Sequence, residues 1–278
     1  MYIIVLYIYY WDGDFMTKGQ HMDVPVKLLI RLILLSFIPI CFGAIIYIAL
    51  GISNPYNFIN SIYLDSQTGK YGIESDKYLF QDAYKDILIE YPRLKTDYYD
   101  SKIDSINDFI KTEAIKLGND YNYVYEAKDY NCLELKLNYE VKYLSDSYLS
   151  IVYKGLVTPK WANHPTHLFY TLNIDLRSAK YVRLEDMVEI NDEFVKIFKR
   201  KIGNHKAEPY PEVDAYFTNI PDDQILKYLK SSDNLCRESK NYYEVFSYFT
   251  DKEICVVYPV PYAVGNHTIV KLDMDNLQ

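Results

Sequence analysis

Hydrophobic and polar positions divide the chain into three regimes. From Leu32 to Ile52 no charged residue occurs, and apolar side chains would cover every face of a helix. Leu28–Ile30 lengthen the run. About 20 apolar residues cross roughly 30 Å of hydrocarbon as a helix, so the pattern predicts one transmembrane helix over 28–52. Arg31 can snorkel to the headgroups, and a kink at Pro39 is tolerated better in a membrane than in water. A buried core helix of this length would carry a polar stripe. Ala49-Leu50-Gly51 offers a weak cleavage site, so a removed leader is the alternative, although the run exceeds the usual signal core.

The second regime, residues 53–77, is rich in turn formers and reads as a linker. The third, 78–278, alternates between strand and helix periods. Tyr78–Phe80 and Ile87–Ile89 read as an extended start that ends at Pro92. Ile103, Ile106, Phe109, Ile110 and Ile115 recur at helical spacing, with Gly118-Asn119 as a stop, so a helix is expected over 100–117. Leu133, Leu135, Leu137, Tyr139 and Val141 alternate with polar residues. Tyr148–Tyr153 follows a Ser-Asp-Ser turn, which predicts a hairpin. Further strands are expected at 167–176, 242–250, 254–258 and 268–274, and helices at 185–202 and 222–230. The expected fold is α+β, an antiparallel sheet with packed helices, preceded by the membrane helix. Its N-terminal half is placed at about 78–155 and its C-terminal half at 156–278.

Charge adds an orientation. Lys18, Lys27 and Arg31 precede the apolar run, and the next basic residue is Lys70. The positive-inside rule then puts residues 1–27 in the cytoplasm and 53–278 outside it. Residues 1–11 are apolar but too short to span. Met16 and Met22 are alternative starts, and residues 1–15 read as an over-extended one. The formal net charge is −8. Asp12, Asp14 and Asp23 cancel the early basic residues, so the whole excess lies after residue 52. An acidic domain repels nucleic acid and favours a basic protein partner. The 31 tyrosines, with abundant Ile, Lys, Asn and Asp, reflect an A·T-rich, bacterial-type composition before any function.

Of four cysteines, Cys41 lies in the apolar run. Cys132, Cys236 and Cys255 allow at most one internal disulfide, in any of three pairings. No CxxC or Cys/His cluster suggests a metal site, and no cofactor is expected. His164 and His167 form an HPTH pattern without the glutamate of a helical zinc motif, and Pro165 argues for a loop. Lys160, Trp161, Asn163 and His164 share that loop. Its tryptophan beside polar groups suits protein or glycan contact, unless it folds back on the core. Tyr262 lies in Pro259–Gly265, a turn or bulge that could border a pocket. No nucleophile elbow, P-loop or dinucleotide fingerprint occurs, so the chain is expected to be non-catalytic.

Leu149–Met187 reads LSIVYKGLVTPKWANHPTHLFYTLNIDLRSAKYVRLEDM. It resembles a segment of RsiV-type anti-sigma factors and PdaC-type deacetylases, which carry paired domains of unknown function, DUF4163 and DUF3298. The shared pattern is a strand, a Gly, a loop with His-Pro, a strand ending N-x-D-L, and L-x-D-L/M. Tyr258–Gly265 is similar to the family's closing Y-x-x-A-P-Y-A-A-G segment. Tyr91–Leu94, the helix over 100–117 and the strand at 133–142 are similar to its N-terminal half. The resemblance covers roughly 78–275. Trp161-Ala162-Asn163 replaces the glycines usual before His-Pro, so this loop departs from the pattern. The resemblance implies binding outside the membrane, as RsiV-like proteins capture lysozyme and then release a sigma factor. Residues 1–27 look too short for a sigma-binding module, and no deacetylase domain is present. The expectation is therefore a membrane-anchored extracytoplasmic binding or sensor module for a lysozyme-like protein or cell-wall glycan. The alternatives are an assembly partner of another envelope protein and a wall-acting hydrolase.

Overall fold

The computed structural model describes residues 58, 59, 62, 70–97, 99–124, 133–159, 165–204, 217–234, 245–261 and 266–277. The expected membrane helix at 28–52 lies outside them. Among the described residues no helix is long and apolar enough to cross a membrane. Ser53–Gln278 forms one compact unit.

A six-stranded sheet runs in chain order: β1 (Gly72–Gln81), β2 (Lys85–Lys95), β3 (Leu133–Leu144), β4 (Tyr148–Pro159), β5 (Thr166–Asp175) and β6 (Lys180–Tyr181). Helix α1 (Ser101–Val124) links β2 to β3. The short α2 (Leu184–Met187), then α3 (Asp192–Asn204) and α4 (Asp222–Lys230), precede a three-stranded antiparallel sheet of β7 (Phe246–Phe249), β8 (Glu253–Pro259) and β9 (His267–Asp273). The α+β class stands as expected, but the large sheet is mixed. β2 and β3 are parallel from Lys85 opposite Leu133 to Ile89 opposite Leu137. Parallel neighbours need a long crossover, and α1 supplies it. Its Ile103, Ile106, Ile110, Ala114 and Leu117 form one buried stripe that shares a core with Ile87, Ile89, Leu135 and Leu137.

Several boundaries differ from the sequence expectations, each for a physical reason. The extended start is a hairpin of two strands, and β2 runs through Pro92 to Lys95. Asp82 N–H bonds Lys85 O at 2.9 Å, so Asp82 and Lys85 form a hydrogen-bonded pair. Alternation along the ladder makes Ser75 opposite Pro92 a non-bonded pair. The missing proline N–H therefore faces away from β1, beyond the last residue that β3 pairs, and costs no ladder bond. Residues 72–77 belong to β1, and Phe58, Ile59 and Ile62 are buried in a core, so 53–77 is not a plain linker. Helix α1 passes Gly118-Asn119, since one interior glycine costs about 1 kcal/mol and does not stop a packed helix. The expected helix over 185–202 is broken. Val188 is extended, and Asn191 Oδ1 accepts from Phe194 N at 3.0 Å, which starts α3 afresh. The boundary placed at 155/156 falls inside β4, so the two expected halves share a strand.

The small sheet stands between two cores. Phe246, Tyr248, Cys255 and Val257 join the core of α1 and the large sheet. Phe249, Ile254, Val256, Tyr258, Val270 and Leu272 alternate with them and pack with Phe194, Phe198, Ile202, Ile225 and Leu229 of α3 and α4. Cys255 is a buried free thiol, while Cys132 and Cys236 lie outside the described residues. At Gly155 the strands come so close that a Cβ would collide with Lys136 O and reach 2.9 Å from Leu137 Cα. Only glycine fits there without parting β3 from β4.

Among the described residues, no strand pairs the β3 side of β2 past Ile89. The Asn107 carboxamide takes over there. Leu94 N donates to Asn107 Oδ1 at 2.7 Å, and Asn107 Nδ2 donates to Leu94 O at 3.0 Å. The side chain thus imitates a strand residue and ties α1 to β2. Asn107→Ala orphans both Leu94 groups in a buried place, at about 1–3 kcal/mol for each. The expected loss is about 2–4 kcal/mol in urea unfolding. A loss under about 0.5 kcal/mol, the size of an ordinary surface substitution, would show that the bonds carry no weight.

Candidate functional site

Two hairpins end side by side. β4 and β5 pair out to Val157 opposite Thr166, and β8 and β9 out to Pro259 opposite His267. The Phe169 and His267 rings meet at 4.8 Å between centroids, tilted by 53°. Lys154 lies opposite Phe169 in the ladder and holds Nζ 5.5 Å from its ring centroid. The same ammonium is 3.9 Å from Glu140 Oε2. His167 falls two residues from Phe169, on the same sheet face, opposite the exposed Leu156. Burial lowers the His267 pKa from its usual value, and the charges of Lys154 and His167 lower it further. His267 is therefore a neutral imidazole at neutral pH, with one donor and one acceptor.

The residues singled out in the sequence, Lys160, Trp161, Asn163, His164 and Tyr262, lie outside the described residues. What the structure brings together is the strand ends on either side of them. Residues 160–164 connect β4 to β5, and 262–265 connect β8 to β9. Val260 N bonds Asn266 O at 2.9 Å, and Asn266 takes a positive φ of 68° where β9 begins. The sequence reading missed Lys154, Phe169 and His267. Their grouping depends on strand register and on a contact between two sheets, which local patterns do not carry. Cation, aromatic rings and imidazole together can hydrogen-bond, stack on an apolar ring face and attract an anion.

A second polar cluster is fully enclosed. Asp233 accepts from Ser247 N at 2.6 Å, Ser247 Oγ at 2.5 Å and Leu184 N at 2.9 Å, with Thr171 Oγ1 at 3.5 Å. Asp233 holds a positive φ of 56°, and its own N–H bonds Val245 O at 2.9 Å. Beside it, Asn173 Nδ2 donates to Ser247 O at 2.8 Å, Ser150 Oγ donates to Asn173 Oδ1 at 2.7 Å, and Phe249 N donates to Ser150 Oγ at 3.2 Å. Burial lifts the Asp233 carboxyl from 3.8 to about 7, against the four hydrogen bonds that favour its charge. A perturbed carboxyl in a cleft would suggest chemistry. This one is buried and ringed by protein donors, so its role is to hold the sheets together. Nothing in Ser231–Asn234 marked it in the sequence, where it reads as one more turn residue. A cleft of about 180 Å³, lined by Met187, Val188, Phe194, Ile197 and Leu277 and bordered by Glu189 and Glu193, lies at the far end of β9 from His267.

No family model matches the sequence, and no curated protein sequence matches it. Two solved structures similar to this chain are described as members of the DUF3298 family. One, from Bacteroides fragilis, is 12% identical with a TM-score of 0.43 and covers 74% of this chain and 92% of its own. Another, from Pseudomonas aeruginosa, is 14% identical with a TM-score of 0.42 and covers 74% of this chain and 91% of its own.

The raised Asp233 pKa has a defined sign. Between 3.8 and about 7 the native state binds this proton more tightly than the unfolded chain does. Its contribution to stability is complete below 3.8 and is lost as pH rises through about 7. The limiting slope is about 1.4 kcal/mol per pH unit. Wild type is expected to lose stability relative to Asp233→Asn between pH 5 and pH 8 in parallel urea titrations. A difference between the two proteins that is constant with pH would contradict the assignment.

Proposed function

We propose that the chain is a membrane-anchored extracytoplasmic binding or sensor module of the bacterial cell envelope, and that it is not an enzyme. The observation that carries the reading is the contact of Phe169 with His267, which sets the β4–β5 and β8–β9 hairpin ends together. The connections that leave those ends carry Lys160, Trp161, Asn163, His164 and Tyr262. We take the two connections as one binding surface, and the neighbouring hairpin ends support it. The apolar run at 28–52 and the basic residues before it support the anchor and its orientation.

The ligand is a basic protein such as a lysozyme-like hydrolase, or cell-wall glycan. The acidic excess after residue 52 favours the protein, since opposite charge raises the rate of encounter. The tryptophan, histidines and Lys154 suit either ligand by stacking and hydrogen bonding. The motif resemblance of Leu149–Met187 and Tyr258–Gly265 to the RsiV and PdaC group supports the same reading.

The test is titration of the full-length chain in detergent micelles with lysozyme, at low and moderate salt, and with soluble wall-glycan fragments. Saturable binding that Trp161→Ala or His267→Ala weakens at least about tenfold is expected, about 1.4 kcal/mol. For lysozyme the affinity falls as salt rises. No binding of either ligand at low salt would sink the proposal and leave an assembly role with another envelope protein.

A further inference from the structure

Strand β1 forms one edge of the large sheet, and its residues are exposed or half-buried along its whole length. The ladder fixes which of its backbone groups look outward. Asp82 and Lys85 are hydrogen-bonded partners. By alternation, Ile73, Ser75, Lys77 and Leu79 lie in non-bonded pairs with β2. Two independent facts agree. Ser75 stands opposite Pro92, which has no N–H to give, and Leu94, opposite Ile73, has both backbone groups taken by Asn107. The outward N–H of Lys77 is held by the Asp76 carboxylate at 2.8 Å. Those of Ile73, Ser75 and Leu79 have no partner among the described residues.

The side chains on this edge are divided. Toward the hairpin tip, Leu79 is 62% exposed, Phe80 40% and Tyr84 48%. Such long apolar side chains on a sheet edge invite pairing with another strand. Toward the start of β1, Glu74 and Asp76 share one face with Tyr78 and Phe80. Glu74 is paired with Lys95 at 2.6 Å, in an exposed position.

We propose that the outer edge of β1 is a docking site for an extended segment of a partner protein, taken up as an added antiparallel strand. The segment carries apolar residues at alternate positions in its first half, against Tyr78 and Phe80. It carries basic residues at alternate positions in its second half, against Asp76 and Glu74. Main-chain bonds to Ile73, Ser75 and Leu79 supply affinity, and the alternate side chains supply selectivity. A second copy of this chain fits poorly. Two-fold antiparallel pairing sets each residue opposite its own copy at the axis. The registers that use the whole strand centre on Asp76 or Lys77. Both put like charges at the axis and set carboxylates against Tyr78 or Phe80. This edge is separate from the hairpin ends that bear the loop residues, and the inference does not depend on them.

The experiment uses the full-length chain in detergent micelles. The probe is a synthetic peptide that alternates valine with threonine in its first half and lysine with threonine in its second. Its control is the same peptide interrupted by proline. Binding is read by fluorescence anisotropy, and amide hydrogen exchange reads the site. The peptide is expected to slow exchange at Ile73, Ser75 and Leu79 and to leave their inward-facing neighbours unchanged. Ser75→Pro removes an outward donor without touching the β1–β2 ladder, and is expected to weaken binding at least about tenfold. Phe80→Lys tests the same edge by charge, without a proline, and is expected to weaken binding as well. The proposal is overturned if saturating peptide leaves those amides unprotected, or if both variants bind as well as wild type. It is also overturned if the amides become protected without peptide as protein concentration rises, because the occupant is then a second copy.

Discussion

The two sheets of this protein are joined by a buried chain of polar groups, and the rest of the architecture depends on its being complete. Phe249 N–H, Ser150, Asn173, Ser247 and Asp233 follow one another in hydrogen-bonding order, and Leu184 N–H ends the series. Each member is buried, so each would cost more unpaired than it yields when paired. The set therefore behaves nearly as all or none. It fixes how β7 lies against β4 and β5, and how α2 begins. Hydrophobic burial draws the same surfaces together without specifying their register. The polar chain supplies that register.

Much of this was legible in the chain, for identifiable reasons. Strand β3 buries Leu133, Leu135 and Leu137 on a two-residue period that reads directly off the sequence, whereas β4, β5 and β8 are buried on both faces and read as short, mostly apolar runs. The stripe Ile103, Ile106, Ile110 on α1 also reads directly off the sequence. The errors fell where a long-range partner outweighed a local signal. Pro92 sits in a strand because its empty side faces no ladder. Gly118 sits in a helix that packing carries past it. Asn191 restarts a helix that periodicity alone runs straight through. The parallel pairing of β2 with β3 could not be read at all, because nothing local in either strand states which neighbour it will have.

The motif resemblance takes on physical content in the structure. Asn173 of the N-x-D-L stretch bridges the sheets. Asp175 accepts from the backbone N–H of Arg177 at 2.9 Å and of Ser178 at 3.4 Å, which shapes the turn into β6. Asp186 of the L-x-D-M stretch accepts from Arg183 N at 2.9 Å at the start of α2. These positions serve folding first. The candidate site was less legible because it is assembled from two hairpins separated by about half the domain. The loop residues were visible as chemistry. Lys154, Phe169 and His267 became visible only once strands were paired.

The polar chain also decides how the protein can be divided. Its members come from β4, β5, the start of α2, the turn after α4, and β7. A cut anywhere between Ser150 and Phe249 separates members of this chain of hydrogen bonds from one another. No stretch that stops before β7 holds a finished interior, although β1 to β6 look in outline like a separate sheet. The last thirty or so residues of the domain act as its keystone. During synthesis the earlier strands must wait, with Ser150 and Asn173 still wet, until the small sheet has left the ribosome.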